Sequence, residues 1–356
     1  MEYDRRWRRI GLAIEKSRAR AFVVHYPANI RYLCCSHLYT AAPPTYLVFT
    51  NGEAPLALTS FLEKNRTEAE CAVGSVRVWG RLPGRRSEGR TAPVALRRIL
   101  KGLGAGRVLV DRRIEGLGSL KQTQLDVVEK MRAIKSDEEL ALIKKACAIA
   151  DRGARELPSI LKNGITELEA AGELDRLLRS EGAQALAFPT IIAAGPHAAY
   201  PHHDSDMTVI RDTMVVCDFG VYVGGYCSDI TRTIAVGTPP RSLLMAHGAV
   251  LAALRAGVRA VGPGKRLSAV DRACRRALEA RGLEKYFVHS TGHGLGLEVH
   301  EAPAAGPFSK DVMKRGMVFT VEPGVYIPGL GGVRVEQDVL VTTSGARVLT
   351  RAPCGP

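Results

Sequence analysis

The sequence predicts a two-domain α/β chain, and three observations carry that reading. Helix-like and strand-like runs alternate through residues 1–124. Two capped helix starts, at Ser136 and Thr166, then lead into strand-like runs that carry carboxylates. The same succession, two helices and then acid-bearing strands, returns after Pro240. At 356 residues the chain is long enough for two cores of ordinary size. We therefore expect an α/β (α+β) fold with a smaller domain over 1–124 and a larger one over 125–356.

Each element follows from local pattern. An amphipathic helix starts near Arg5–Lys16, and strands are expected at Arg20–His25, Tyr46–Thr50, Ala54–Leu58 and Arg107–Asp111. A helical segment over Leu120–Met131 marks the domain boundary. Ser136-x-x-Glu139 reads as a capping box, after which apolar residues at 140, 143, 147, 150, 154 and 157 share one helix face. Thr166-x-x-Glu169 starts a second helix that Gly182 ends. Met214–Gly220 and Tyr226–Ala235 are β-rich runs around Gly224-Gly225, a hairpin signal. Helices near 241–260 and 268–281 open the second half of the larger domain.

The chemistry lies in five phrases of that domain: CDFG, YCSDITRT, GHGLGLEVHE, TVEPG and VRVEQDV. They hold Asp218, Asp229, His293, Glu322 and Glu336. Acids inside apolar strand-like runs are costly to bury without a shared compensating charge. Four carboxylates and one imidazole suit a pair of hard divalent ions, since carboxylates can bridge two cations and cancel most of their charge. Across the hairpin, Asp218 and Asp229 are expected opposite each other to within about a residue, where unscreened carboxylates would repel. The alternative is an acid pair held by Arg232 or another basic group. Arg334 and Glu336, two apart in the run Val333–Val341, should face the same way, so that the guanidinium orients ligands. Pro323-Gly324 stops the strand after Glu322. Three glycines in five residues, Gly292 to Gly296, suit close backbone approach to an ion or substrate. An oxygen-rich set with one His points to manganese or cobalt, with iron or zinc as alternatives.

These ordered phrases resemble the creatinase/prolidase superfamily of metallopeptidases, most closely its Xaa-Pro dipeptidases and Xaa-Pro aminopeptidases. The match covers roughly Ile134–Val341. The resemblance implies a pita-bread catalytic domain and makes Asp218, Asp229, His293, Glu322 and Glu336 the ligands of two divalent ions. It makes His202 the substrate-side histidine and His300 its partner across the site. Asn29-Ile30-Arg31-Tyr32-Leu33 and the strand and Asn51-Gly52 that follow are similar to the smaller creatinase-like N-terminal domain of the proline-specific enzymes. Glu322, a ligand itself, is then the candidate to accept a proton from water, while His202 and His300 act on substrate and Arg334 holds ligands. The substrate implied is a proline-containing dipeptide or short peptide, and a homodimer is expected. His289 reads as a packing residue near the ligands, and His197 and His203 as loop residues. Cys217 and Cys227 read as small buried thiols beside the acids. Three functions stay open: an Xaa-Pro peptidase in dipeptidase or aminopeptidase form, a metal-free creatinase-like C–N hydrolase, and a non-catalytic pita-bread binding protein.

Composition limits the partners. The net charge of +14 lies largely in Arg5–Arg9 and Arg81–Lys101, with no aromatic ladder or helix-turn-helix pattern, so no specific nucleic acid is expected. The basic N-terminus lacks the apolar core of a secretory signal. The uncharged stretches Tyr32–Gly52 and Ala185–His203 are broken by Pro, Gly, Asn or His and do not read as membrane spans. The eight cysteines show no CxxC pair and read as reduced thiols of a cytoplasmic protein.

Overall fold

A computed structural model describes residues 2–34 and 44–356; Cys35 and the middle of the Tyr32–Gly52 stretch lie outside the described residues. Two compact units emerge, one ending at Arg132 and the other spanning Ala133–Pro356.

The first unit runs α1 (Glu2–Ser17), β1 (Phe22–Val24), α2 (Pro27–Cys34), β2 (Tyr46–Phe49), β3 (Leu56–Ser60), α3 (Lys64–Glu70), β4 (Ser75–Trp79), α4 (Ala92–Gly102), β5 (Arg107–Val110), β6 (Lys121–Gln124) and α5 (Val127–Arg132). Its strands form one mixed sheet in the order β4-β3-β2-β1-β5-β6. The apolar face of α4, with Leu96, Ile99 and Leu100, shares a core with Val23, Val48, Leu58 and Val108 of the sheet. The helical reading of Leu120–Met131 needs correction. Lys121–Gln124 pairs in parallel with β5, and the helix begins only at Val127. As the outermost strand, β6 needs no apolar face, so its polar sequence carried no period-2 signal. The division between units falls at Arg132/Ala133, later than 124/125, because α5 is tied to the first unit. Arg132 Nη1 donates to Asn29 Oδ1 (2.9 Å), and Asn29 Nδ2 donates to Asp111 Oδ2 (3.0 Å) and Glu129 Oε1 (3.1 Å).

The second unit contains α6 (Asp137–Ile160), α7 (Glu167–Ser180), β7 (Ala185–Leu186), β8 (Ile191–Ala194), β9 (Thr213–Phe219), β10 (Val221–Val223), β11 (Tyr226–Cys227), β12 (Ile230–Val236), α8 (Arg241–Ala260), α9 (Ser268–Glu279), β13 (Gly292–Gly294), β14 (Glu301–Ala305), β15 (Val318–Val321), β16 (Gly324–Ile327), β17 (Gly331–Arg334), β18 (Gln337–Val341) and β19 (Ala346–Val348). Both capping boxes form, Ser136 with Glu139 and Thr166 with Glu169. All six apolar positions expected on α6 are buried. Helices α6 and α7 share a core with the sheet β12-β9-β8. Helices α8 and α9 share a second core with β15, β16, β17 and β18, in the manner of two half-repeats. Helix α8 is long and apolar enough to cross a membrane by length and composition, a feature the sequence reading passed over. Here it is a core helix, burying Leu243, Ala246, Val250, Ala253 and Leu254.

Candidate metal centre

The hairpin around Gly224-Gly225 forms, but its register differs from the expectation. Asp218 pairs with Thr231 and Phe219 with Ile230, so Asp229 lies two residues from the position opposite Asp218. The main strand breaks at Gly220, where a Cβ would come 2.1 Å from the Ser228 carbonyl oxygen. The two carboxylates meet diagonally, near enough that the charge of Asp218 acts on Asp229. The second half supplies the rest. Glu322 occupies the gap between β15 and β16. Val333–Val341 is two strands rather than one, with Arg334 ending β17 and Glu336 just before β18.

Asp229, His293 and Glu336 offer ligand atoms that all lie within 4.8 Å of one another. His293 Nε2 stands 3.3 Å from Glu322 Oε1 and 3.6 Å from Asp229 Oδ2. Its Nδ1 faces the Gly294 carbonyl at 3.3 Å and donates there, which directs Nε2 to the carboxylate side. Asp218 Oδ2 accepts from Arg334 Nη2 at 2.6 Å. All five candidate ligands are therefore brought to one place.

Support comes from polar groups of both halves. Thr231 Oγ1 donates to Glu336 Oε2 (2.7 Å), and Thr320 Oγ1 to Glu322 Oε1 (3.1 Å). Asp338 accepts the Asp229 backbone N–H on Oδ2 at 3.1 Å and the Cys147 thiol at 3.3 Å. Arg334 reaches further, donating through Nη1 to the Tyr326 hydroxyl (2.9 Å) and through Nε to Thr231 Oγ1 (3.0 Å). The Tyr326 hydroxyl in turn donates to His289 Nε2 (2.9 Å), since His289 Nδ1 is committed to the Ser290 carbonyl (2.7 Å). Sequence reasoning missed Asp338 and Tyr326. The available signal for Asp338 was an acid two residues after Glu336 in an apolar run; Tyr326 had none.

Arg232 does not hold the acid pair. Its buried guanidinium donates instead to the carbonyls of Pro353, Thr231, Glu336 and Ala352. The glycines of Gly292–Gly296 also have another cause. A Cβ on Gly292 would sit 1.9 Å from the Thr320 carbonyl oxygen, and one on Gly294 2.5 Å from that of Ala302, so adjoining backbone demands them. Cys217 and Cys227 are buried, and burial pushes both thiols up, so they stay protonated.

Electrostatics separates two groups of acids. Burial, then the charges of Glu336 and Asp218, hold Asp229 well above the usual carboxylate range. Burial, then Glu322 and Asp218, do the same to Glu336. Burial also lifts Asp338, to about 7. For Glu322 burial is outweighed by the hydrogen bond and charge of His293, helped by His289 and Arg334, and the group is held at about 2. Burial opposes protonation of His293, yet Glu322 raises it. Asp218 Oδ1, Glu336 Oε1 and Asp338 Oδ1 are buried without hydrogen-bond partners. Mutually repelling carboxylates with orphaned oxygens, plus one directed imidazole nitrogen, fit hard divalent cations.

The histidines divide. The His300 ring centroid lies 4.0 Å from that of His293, and burial, then the charge of His293, keep His300 low; His202 acts in the same sense. His202 is exposed and also acts on His289. Its neighbour His203 turns away to Glu167, with Nε2 2.7 Å from Oε2.

A model of metallopeptidase family M24 matches residues 141–343. The chain belongs to that family. Membership implies divalent metals, in agreement with the carboxylate–histidine cluster. Over 227 residues the chain is 43% identical to the Xaa-Pro dipeptidase of Pyrococcus furiosus, a match covering 64% of this chain and 65% of that one, just under two thirds of the relative's length. In fold it is similar to the prolidase of Pyrococcus horikoshii, with a TM-score of 0.88 at 31% identity covering 98% and 99% of the two chains. It is also similar to the X-Pro aminopeptidase of Thermotoga maritima, with a TM-score of 0.86 at 27% identity covering 98% of each. The family fold is thus the pita-bread architecture expected from the motifs, accompanied by a separate N-terminal unit.

Proposed function

We propose that the chain is an Xaa-Pro dipeptidase that hydrolyses the bond preceding proline, using two divalent ions held by Asp218, Asp229, His293, Glu322 and Glu336. The observation that carries this reading is the convergence of all four carboxylates and one imidazole, with the His300 ring centroid 4.0 Å from that of His293. Relatives named Xaa-Pro dipeptidase and prolidase support the substrate class. Manganese or cobalt suits the oxygen-rich set, with iron or zinc as alternatives. When bound, such ions supply Lewis acidity that brings the pKa of water towards neutrality.

The chain's own groups do the remaining work. Glu322, held ionised by His293, accepts the proton of the attacking water. Arg334 fixes the direction of Asp218. His300, kept neutral at physiological pH by burial and by His293, donates a hydrogen bond to the developing oxyanion. An Xaa-Pro bond is a tertiary amide with no N–H, so its nitrogen becomes basic only as the tetrahedral intermediate collapses. His202 steadies substrate and serves the departing proline at that point.

Rates on Ala-Pro, Ala-Ala and Ala-Pro-Ala test the proposal. Ala-Pro should be cleaved far faster than Ala-Ala, and equal rates would refute proline selectivity. Preference for Ala-Pro-Ala would favour the second reading, an Xaa-Pro aminopeptidase, which the Thermotoga maritima structure supports. The presence of the full ligand set speaks against both a metal-free creatinase-like hydrolase and a non-catalytic binding protein. The free thiols of the described cysteines agree with a reducing, cytoplasmic setting, and we extend the reading to a homodimer without specific nucleic-acid or membrane partners.

A further inference from the structure

Away from the carboxylate cluster, two histidines converge on one buried acid. Glu167, the first residue of α7, is fully buried. His197 Nδ1 lies 3.1 Å from its Oε1, and His203 Nε2 lies 2.7 Å from its Oε2. The two imidazole rings are 4.3 Å apart between centroids. Asp206 completes the group at the exposed edge, and one ligand atom from each of the four lies within 4.8 Å of the others. Asp206 is itself oriented by the Thr208 N–H, which donates to its Oδ1 (2.7 Å).

The backbone holds this arrangement rigidly. Glu167 Oε1 also accepts the Ala194 N–H (2.8 Å), and Oε2 accepts that of Asp206 (3.2 Å). The N–H groups of Glu167 and Leu168 donate to the carbonyls of Thr208 (3.0 Å) and Asp206 (2.9 Å). Two carboxylates supply the charge that one divalent cation cancels, and two imidazoles supply nitrogen donors. Two nitrogens in four donors make this set softer than the catalytic one, which has a single imidazole among four carboxylates. Four ligands of N and O type are the usual complement of zinc.

We propose that Glu167, His197, His203 and Asp206 form a further metal site of the zinc class, separate from the hydrolytic centre and on the segment that carries His202. Zn²⁺ titration of the full-length, manganese-loaded protein, read by elemental analysis after desalting, tests it. Wild type should retain about one more equivalent of Zn²⁺ than His203→Gln, whose amide can still donate to Glu167 and so spare the fold. His197→Asn should lose the same equivalent. With Co²⁺, the difference spectrum between wild type and His203→Gln should show visible bands of a four-coordinate ion. Equal metal content in wild type and both variants, or a featureless Co²⁺ difference spectrum, would overturn the assignment. Because the readout is a difference at His197 and His203, its failure is distinct from failure of the hydrolytic reading, which turns on the other five ligands.

Discussion

The floor of the metal centre and its rim are compensated in different ways. On the floor, Asp229, Glu336 and Asp338 are buried against one another with no Arg or Lys on their carboxylates among the described residues and only the longer, 3.6 Å approach of His293 to Asp229, and all three are raised. On the rim, Asp218 has Arg334 at 2.6 Å and Glu322 has His293 at 3.3 Å, and Glu322 is held near 2. The protein supplies positive charge where direction matters and leaves the deepest acids to an external cation. The rim should therefore govern geometry and proton transfer, and the floor metal affinity.

The largest effect expected from this division is on the floor. Chelation should abolish hydrolysis and Mn²⁺ or Co²⁺ should restore it; full turnover by protein shown to be metal-free by elemental analysis would erase the distinction. Next, Glu322→Gln at saturating metal should lower kcat at least about 10²-fold, the scale of general-base contributions. Retained kcat would move the proton acceptor elsewhere.

Stability of the metal-stripped protein sharpens the contrast through opposite signs. Arg334→Ala leaves Asp218 without its partner and should cost about 3–5 kcal/mol in urea unfolding, as other broken buried pairs do. Asp229→Asn removes a repelling charge and should instead stabilise that form, on the order of 1–2 kcal/mol, while weakening metal binding. If both variants shift the same way, floor and rim are not distinct.

The smallest effect is the pH slope. A carboxyl raised on folding contributes most at low pH and loses that contribution as pH climbs through its folded value. Asp338, ordinarily near 3.8 and here about 7, places this loss between those values, and Asp229 and Glu336 add to it in the same direction. Glu322 has the opposite sign: its contribution is present above 4.5 and disappears as pH falls towards about 2. Metal-stripped protein should therefore grow less stable from pH 5 to pH 7.5, and saturating Mn²⁺ should remove the slope in thermal melts.

Much of this site was legible because each candidate ligand is an acid or histidine inside an apolar phrase, a local anomaly visible without tertiary knowledge. The helices of the catalytic unit were legible for a similar reason, since Ser136/Glu139 and Thr166/Glu169 announce their own starts. What escaped depends on partners distant in the chain. Asp338 matters through the backbone of Asp229, 109 residues away. Glu167 gains its partners His197 and His203 only 30 and 36 residues further along the chain. The strand at Lys121–Gln124 was hidden because the edge of a sheet asks nothing apolar of it. The hairpin register was misjudged because Gly220 interrupts the main strand at a contact the sequence does not display.

The threonine and backbone bonds that cross between the halves also set an order of events in folding. Thr231 reaches Glu336 across 105 residues, and the Glu336 N–H returns to the Thr231 carbonyl. Neither half on its own holds more than part of the ligand set, and contacts this far apart are closed late because loop-closure entropy must be overcome first. Residues 133–237 could gain helices and their local sheet early in synthesis, but metal retention would begin only after Glu336 and Asp338 had docked. Metal uptake thus reports completion of the catalytic unit, and separately expressed halves should bind metal tightly only when mixed.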